Sequence, residues 1–339
     1  MKHYNIPIFV PHEGCPFDCV FCNQKHITGS CKTVDESVII EIMDAHLKTL
    51  PRENCSIEAA FFGGSFTGIP MERQRRFLQT AYRYVQDGRI DGIRLSTRPD
   101  YIDRRILDQL REFGVTAIEL GVQSMDETVL KAARRGHTAE DVKRAVQMIR
   151  EYPFQLGLQM MTGLPEDTPE KSLYTAREII RLKPDFVRIY PTLVVEDTAL
   201  AVLYRRGEYR PQTLEEAVML CKALLELFDA AKIPVIRVAL MTTEEISPGG
   251  ALVAGPFHPA FRELVEGELY FDKLCTAMEQ GDVREVVVNS REVSKAVGNN
   301  KRNVRRIRER FGVDVKITGA AEVPPGAVYI SRRKGGSCT

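Results

Sequence analysis

Repeated βα units, forming a parallel sheet closed or partly closed into a barrel, are what this α/β sequence predicts, on two observations. Between residue 5 and about residue 240, short β-branched or apolar runs alternate with longer amphipathic stretches. The unusual residues fall just behind the strand-like runs, where barrel enzymes carry their functional loops.

Strands are expected at 6–10, 57–62, 93–96, 117–122, 155–161, 186–190 and 235–238. Most are followed by a helix-like stretch, with helices expected at 72–85, 102–112, 127–134, 138–151 and 169–182, where polar residues occupy the positions between apolar ones. Behind the first six strands stand CPFDCVFC, GGSFTG, TRPD, QS, TGLP and YPT, in that order. Gly and Pro at strand ends are ordinary in any βα loop, so the weight rests on their occurring together with the cysteines. After about residue 283 the pattern changes to strand, short helix, Gly-Asn turn, basic helix, Gly312 stop and strand. Val304, Ile307 and Phe311 give the basic helix one apolar face, and Arg302, Arg305, Arg306 and Arg310 occupy the remainder. The boundaries expected are 1–272 for the barrel with its flanking helices and 273–339 for a small basic domain with a polar, Gly-rich tail.

The 339 residues, 44% of them hydrophobic, suffice for a substantial core. No apolar run nears the roughly 18 residues of a membrane span, and the N-terminus shows no basic leader or cleavage site, so a cytoplasmic protein without membrane association is expected. Eight cysteines are too dilute for a disulfide framework, leaving metal ligation or buried thiols. The formal net charge of +1 hides an asymmetry: residues 284–339 hold 13 Lys/Arg against 5 Asp/Glu, leaving 34 against 41 elsewhere. A polyanion partner should therefore meet the C-terminal part.

Cys15, Cys19 and Cys22 lie within eight residues, spaced CxxxCxxC, directly after the first strand. Thiolates this close suit a soft metal centre. A structural zinc wants four closed ligands, and the nearby candidates for a fourth are His12, His26 and Cys31. A [4Fe–4S] cluster held by three cysteines leaves one iron open, which suits the missing fourth thiol.

The CxxxCxxC pattern, with the aromatic Phe21 just before Cys22, resembles the signature of the radical S-adenosylmethionine (SAM) superfamily. ELGVQSMDETVL, RRGHTAEDVKRA, MMTGLPEDT and RIYPTLVVEDTAL further resemble the branch that contains the catalytic subunit of Elongator, a transfer-RNA-modifying enzyme. The resemblance spans most of residues 5–240 and implies a partial (β/α)6 barrel. It implies that Cys15, Cys19 and Cys22 hold three irons while the open iron chelates SAM. One-electron reduction then releases a 5′-deoxyadenosyl radical that abstracts hydrogen from substrate. Such chemistry needs an electron donor, for example a flavodoxin or ferredoxin.

The resemblance also assigns residues one at a time. Gly63, Gly64 and Ser65 match the glycine motif that approaches the SAM amino group, where a Cβ would clash; many relatives carry Glu in the place of Ser65. Arg98, in TRPD, has a planar fork suited to the SAM carboxylate, the alternative being an outward salt bridge. Gln123 and Ser124 match a ribose-side strand end, or else bond the barrel rim. Gln159 and Arg188 sit on strands expected to point into the barrel mouth, where their partners would be cofactor or substrate; the family often has Lys in the place of Arg188. Tyr190 either stacks on substrate or fills the rim. Cys55 and Cys221 are expected in the core. Cys31, Cys275 and Cys338 form no second motif, although Cys338 is placed as the tail cysteine of some radical SAM methyltransferases.

About 100 residues follow the barrel without a recognisable acetyl-CoA-binding glycine motif, a departure from the Elongator subunit, which carries an acetyltransferase-like domain. Their order of helix, GNNK turn, basic helix and strand resembles a KH RNA-binding module, a small α+β fold that clamps nucleic-acid backbone at GxxG. Gly298 keeps the first glycine and Lys301 replaces the second. Lys301, Arg302, Arg305 and Arg306 would extend a basic face toward tRNA or rRNA, or else form a solvated helix surface. The expected function is a radical SAM enzyme that modifies an RNA base. The alternatives are a radical SAM enzyme acting on a protein or small metabolite, and a non-catalytic RNA-binding protein with structural zinc.

Overall fold

The structure is a computed structural model describing residues 2–10, 15, 19–23, 34–51, 53–240, 246–247, 249–281 and 283–330. His12, His26, Cys31 and Cys338 lie outside the described residues. The chain forms two compact units, one of Met1–Thr213 and Leu224–Phe257, the other of Leu214–Ala223 and His258–Thr339.

In the first unit the elements are β1 (Lys2–Val10), α1 (Glu36–Leu47), β2 (Cys55–Gly63), α2 (Met71–Gln86), β3 (Gly92–Thr97), α3 (Arg104–Glu112), β4 (Val115–Gln123), α4 (Glu127–Ala132) and α5 (Ala139–Ile149). There follow β5 (Gln155–Thr162), α6 (Pro169–Arg181), β6 (Phe186–Pro191), β7 (Val194–Val195), α7 (Ala199–Arg205), α8 (Leu214–Ala230, which begins in the second unit), β8 (Val235–Val238) and β9 (Leu252–Ala254). The main sheet runs β1-β2-β3-β4-β5-β6-β8 with every neighbouring pair parallel. Its two ends, β1 and β8, do not pair with each other, so the barrel is partial. β7 and β9 form a separate antiparallel pair.

All seven expected strands form, because each β-branched run can be covered on both faces. β1 extends back to Lys2 by pairing Lys2–Asn5 with Cys55–Glu58. The helices begin where side chains replace missing backbone partners: Asp103 accepts from Ile106 N, Thr138 forms a capping box with Asp141, and Thr168 accepts from Lys171 N ahead of Pro169. The helices expected to start at 102 and 138 thus start one or two residues later, behind their caps. Phe61, Phe66 and Phe77 are fully buried where α2 packs, with ring centroids 4.9 and 6.5 Å apart.

The second unit has α9 (Phe261–Met278), β10 (Glu285–Asn289), α10 (Val293–Val297), α11 (Arg302–Phe311), β11 (Lys316–Ala320) and β12 (Val328–Ile330). Its sheet order is β11-β10-β12, with β11 parallel and β12 antiparallel to β10. The order strand, helix, turn, helix, strand is the one the sequence predicts. Ile307 is fully buried with Leu274 and Val286, while Phe311 packs at the margin of that cluster. Gly312 closes α11 in the left-handed conformation. Among the described residues, no helix is long and apolar enough to cross a membrane.

Candidate active site

The carboxyl ends of β1 to β4 bring the first group of residues together. Cys15 is half-buried and Cys19 buried, and the two thiols are close enough for their charges to interact. Burial pushes the Cys15 thiol up, opposed by the Ser65 backbone, with Cys19 raising it further and Arg98 and Arg135 opposing. Cys22 N donates to Cys19 O at 3.0 Å, closing a turn. Val20 and Phe21 anchor that turn against Val129, Ala133, Leu164 and Leu200. Val20 N donates to Ala133 O, and Val20 O accepts from Leu200 N. Phe21 is thus part of an apolar support beneath the thiols.

At the end of β2, Gly64 N donates to Val10 O at 2.9 Å, tying the glycine turn to the strand that carries the cysteines. Gly63 has φ 104°, which a side chain would strain. The Ser65 hydroxyl is buried and committed: it lies 2.8 Å from Thr97 Oγ1 and accepts from Arg98 N at 3.2 Å. The short side chain thereby locks β2 to β3. Arg98 is buried and donates Nε and Nη2 to Asp100, at 2.9 and 2.8 Å.

Gln123 ends β4 with φ 65°, where the register with β5 shifts. Two residues that sequence reading left unassigned hold this irregular end. Arg135, 7% exposed, donates Nη2 to Gly121 O at 2.7 Å and Nη1 to Cys19 Sγ at 3.2 Å. His137, 3% exposed, bonds Val122 O through Nε2 at 3.1 Å. Among the described residues, Arg135 Nε and His137 Nδ1 have no hydrogen-bond partner. The signal available beforehand was the string RRGHT, two cations and a histidine just past a helix end. Ser124 serves the backbone, its hydroxyl accepting from Asp126 N at 3.1 Å and lying 3.2 Å from Thr175 Oγ1.

Burial, reinforced by the Arg135 and Arg98 charges, pushes His137 down to about 3 from its ordinary 6.5. The ring is neutral in the fold but protonated in the unfolded chain below pH 6.5, so stability falls as pH drops from 6.5 toward 3. Between pH 7 and 5.5 this removes about 1 kcal/mol. Denaturant unfolding at both pH values should show that loss in the wild-type protein and not in His137→Gln; equal losses would show that His137 is not buried neutral.

Deeper in the barrel, charged side chains alternate across the strands. Glu58 accepts from Arg94 Nε at 2.6 Å, from Thr116 Oγ1 at 2.5 Å, and pairs with His3 Nε2 at 2.7 Å. Arg94 Nη1 reaches Glu119 at 3.1 Å. Glu119, 2% exposed, accepts from Arg188 Nη2 at 3.0 Å and lies 2.6 Å from Arg188 Nε. Burial alone would lower Arg188, but Glu119 and Tyr190 outweigh it and hold the guanidinium charged. Tyr190 is pushed up, chiefly by burial, with Arg188 opposing. Gln159 Nε2 reaches Gln123 Oε1 at 3.5 Å, linking the cysteine side of the mouth to the Arg188 side.

On the second unit the basic residues divide. Arg306 pairs with both Glu268 oxygens at 2.8 Å and stacks on Phe271 at 3.6 Å, and Arg302 lies 3.6 Å from Glu268 and 3.7 Å from Glu215. Arg305 and Lys301 are exposed. Lys301 keeps the left-handed conformation, φ 59°, at the position where a GxxG turn has its second glycine.

Comparison with known proteins decides the family. The Radical SAM superfamily model matches residues 9–179, half of the chain, and the Radical_SAM C-terminal domain model matches residues 184–270. This chain belongs to the radical SAM superfamily. The curated relatives it matches include Elongator proteins and tRNA uridine(34) acetyltransferases. It is 34% identical over 182 residues to the tRNA uridine(34) acetyltransferase of Methanocaldococcus jannaschii, covering 48% of this chain and 34% of that one. It is 29% identical over 201 residues to Elongator complex protein 3 of Homo sapiens, covering 53% of this chain and 37% of that one. The chain thus spans about a third of the length of these two curated relatives. Archaeal Elp3 of Methanocaldococcus infernus, solved with an N-terminal deletion, shares the fold with a TM-score of 0.61 and 21% identity over 92% of this chain and 68% of that one.

The superfamily's cofactors are a [4Fe–4S] cluster and SAM. Among the described residues no three His, Cys, Asp or Glu side chains stand together as a metal-holding group, so the structure joins Cys15 to Cys19 and does not bring Cys22 to them; in kind, the donors still suit the cluster. Cys15 and Cys19 are thiolate donors, with Arg135 Nη1 on Cys19, and the buried Arg135 Nε, without a partner among the described residues, leaves that guanidinium a donor to spare.

Proposed function

We propose that this chain is a cytoplasmic radical SAM enzyme that modifies a base in tRNA or rRNA. The observation that carries it is the meeting, at one mouth, of the Cys15 and Cys19 thiols, the Gly63-Gly64-Ser65 turn and two buried arginines, with Gln159, Arg188 and Tyr190 across from them. When bound, the cluster and SAM supply a one-electron cleavage that yields a hydrogen-abstracting 5′-deoxyadenosyl radical.

Cys15, Cys19 and Cys22 would hold the cluster, and the Gly63-Gly64 backbone would admit the SAM amino group. Arg135 would present positive charge to its carboxylate, with Arg98, already paired to Asp100, adding to the field, and Gln123 would lie on its ribose side. Tyr190 and Arg188 orient the substrate, with Glu119 fixing the Arg188 fork. A flavodoxin or ferredoxin donates the electron.

RNA as substrate rests on the exposed Lys301 of the GNNK turn and the exposed Arg305 of α11, and on relatives whose names specify tRNA uridine(34). Arg306, held by Glu268, shapes this surface more than it contacts a ligand. The test is anisotropy of a labelled tRNA anticodon stem-loop titrated with full-length protein over a range of salt. Affinity should fall linearly in log–log form, and Lys301→Ala with Arg305→Ala should flatten the slope by about one per lost phosphate contact. A salt-independent affinity, or one indifferent to both changes, would remove RNA from the assignment.

A further inference from the structure

Resting on the RNA reading above, we propose that Arg237 is a substrate-binding residue that takes a phosphodiester of the RNA next to the nucleotide being modified. Arg237 lies on β8, in direct register with Arg188 on β6, so the two guanidinium-bearing residues share one face of the sheet. That face is the barrel interior, because Arg188 reaches Glu119 there. Arg188 is neutralised by Glu119. Among the described residues Arg237 has no hydrogen bond or ion pair to a carboxylate. Its charge acts instead on the Tyr190 hydroxyl.

A half-buried guanidinium beside a second one, with no carboxylate partner among the described residues, leaves one positive charge uncompensated there in a setting of reduced dielectric. An anion supplied by a ligand removes that cost. The SAM carboxylate is not that anion, since Arg98 and Arg135 stand at the ends of β3 and β4, on the other side of the mouth. The remaining anion belongs to the substrate, and a phosphodiester offers two oxygens to the planar fork. Position agrees: β8 is the last strand of an open sheet, so Arg237 sits by the free edge, where a nucleotide still joined to its neighbours can enter.

The test compares two stem-loops by anisotropy with the full-length, cluster-loaded protein and SAM. One has ordinary linkages, and in the other methylphosphonates flank the uridine that the relatives' names specify. On the ordinary stem-loop, Arg237→Gln should bind about ten- to a hundredfold more weakly than wild type, and Arg237→Lys should recover part of the loss. The neutral linkages should weaken the wild-type protein by a similar factor and Arg237→Gln scarcely further. Melting temperature and iron content report folding, and the linkage effect on the wild-type protein needs no variant. If wild type binds and Arg237→Gln binds as well, or loses equally on both stem-loops, the assignment of Arg237 falls alone. If wild type binds neither stem-loop, the RNA reading falls and this assignment with it.

Discussion

Replacing Cys15, Cys19 or Cys22 singly with Ala should take the anaerobically purified protein from about four irons per chain to below about one. Each thiolate of a three-cysteine cluster holds a different iron, and with one corner already open a second open corner leaves the cluster prone to loss. Formation of 5′-deoxyadenosine should fall to background in all three variants, because no iron then remains to hold SAM. Cys221→Ala is the control: that thiol is fully buried in α8, and its loss should change stability and not iron. The Cys19 variant also strands Arg135 Nη1, so it should melt lowest of the three. Iron content and turnover at wild-type levels in any one of them would remove that residue from the ligand set.

Glu119→Ala should destabilise the barrel by about 3–5 kcal/mol, seen as a drop in melting temperature on the order of 10 °C. The carboxylate is buried between two arginines, and removing it leaves Arg188 with no carboxylate among the described residues, while Arg94 retains Glu58. The cost is that of an uncompensated buried charge. A double replacement, Glu119→Leu with Arg188→Met, should therefore melt higher than Glu119→Ala alone, although it removes more polar contacts. It should still lose substrate turnover if Arg188 orients the substrate as proposed. A double variant less stable than the single one would mean that the pair is held for stability and not for the site.

The barrel was readable in the sequence because its strands are local patterns. Runs such as IELGV at 118–122 and FVRIY at 186–190 must be strands in any parallel sheet, and their ends are punctuated by Gly, Pro or Ser. The cysteines, the Gly63-Gly64 turn and the strand-end polar residues followed from that placement. What was not readable depends on pairing across the fold. Arg135 and Cys19 are 116 residues apart, and no periodicity announces their contact. Glu58, Arg94 and Glu119 are single charges within apolar runs; each needed a partner, but which one depends on strand order and register. The helix periodicity placed Arg306 on the polar side of α11, and Glu268 of α9, 38 positions earlier, takes up its fork. Arg237 escaped notice for the opposite reason: the strand was evident, and the lack of a carboxylate partner among the described residues was not.

The most direct test of the whole account is 5′-deoxyadenosine release by anaerobically reconstituted, chemically reduced protein given SAM, measured with and without the anticodon stem-loop. The expected result is a brown protein with about four irons that releases 5′-deoxyadenosine, faster when the stem-loop is present. A colourless, zinc-bearing protein that leaves SAM intact would contradict it.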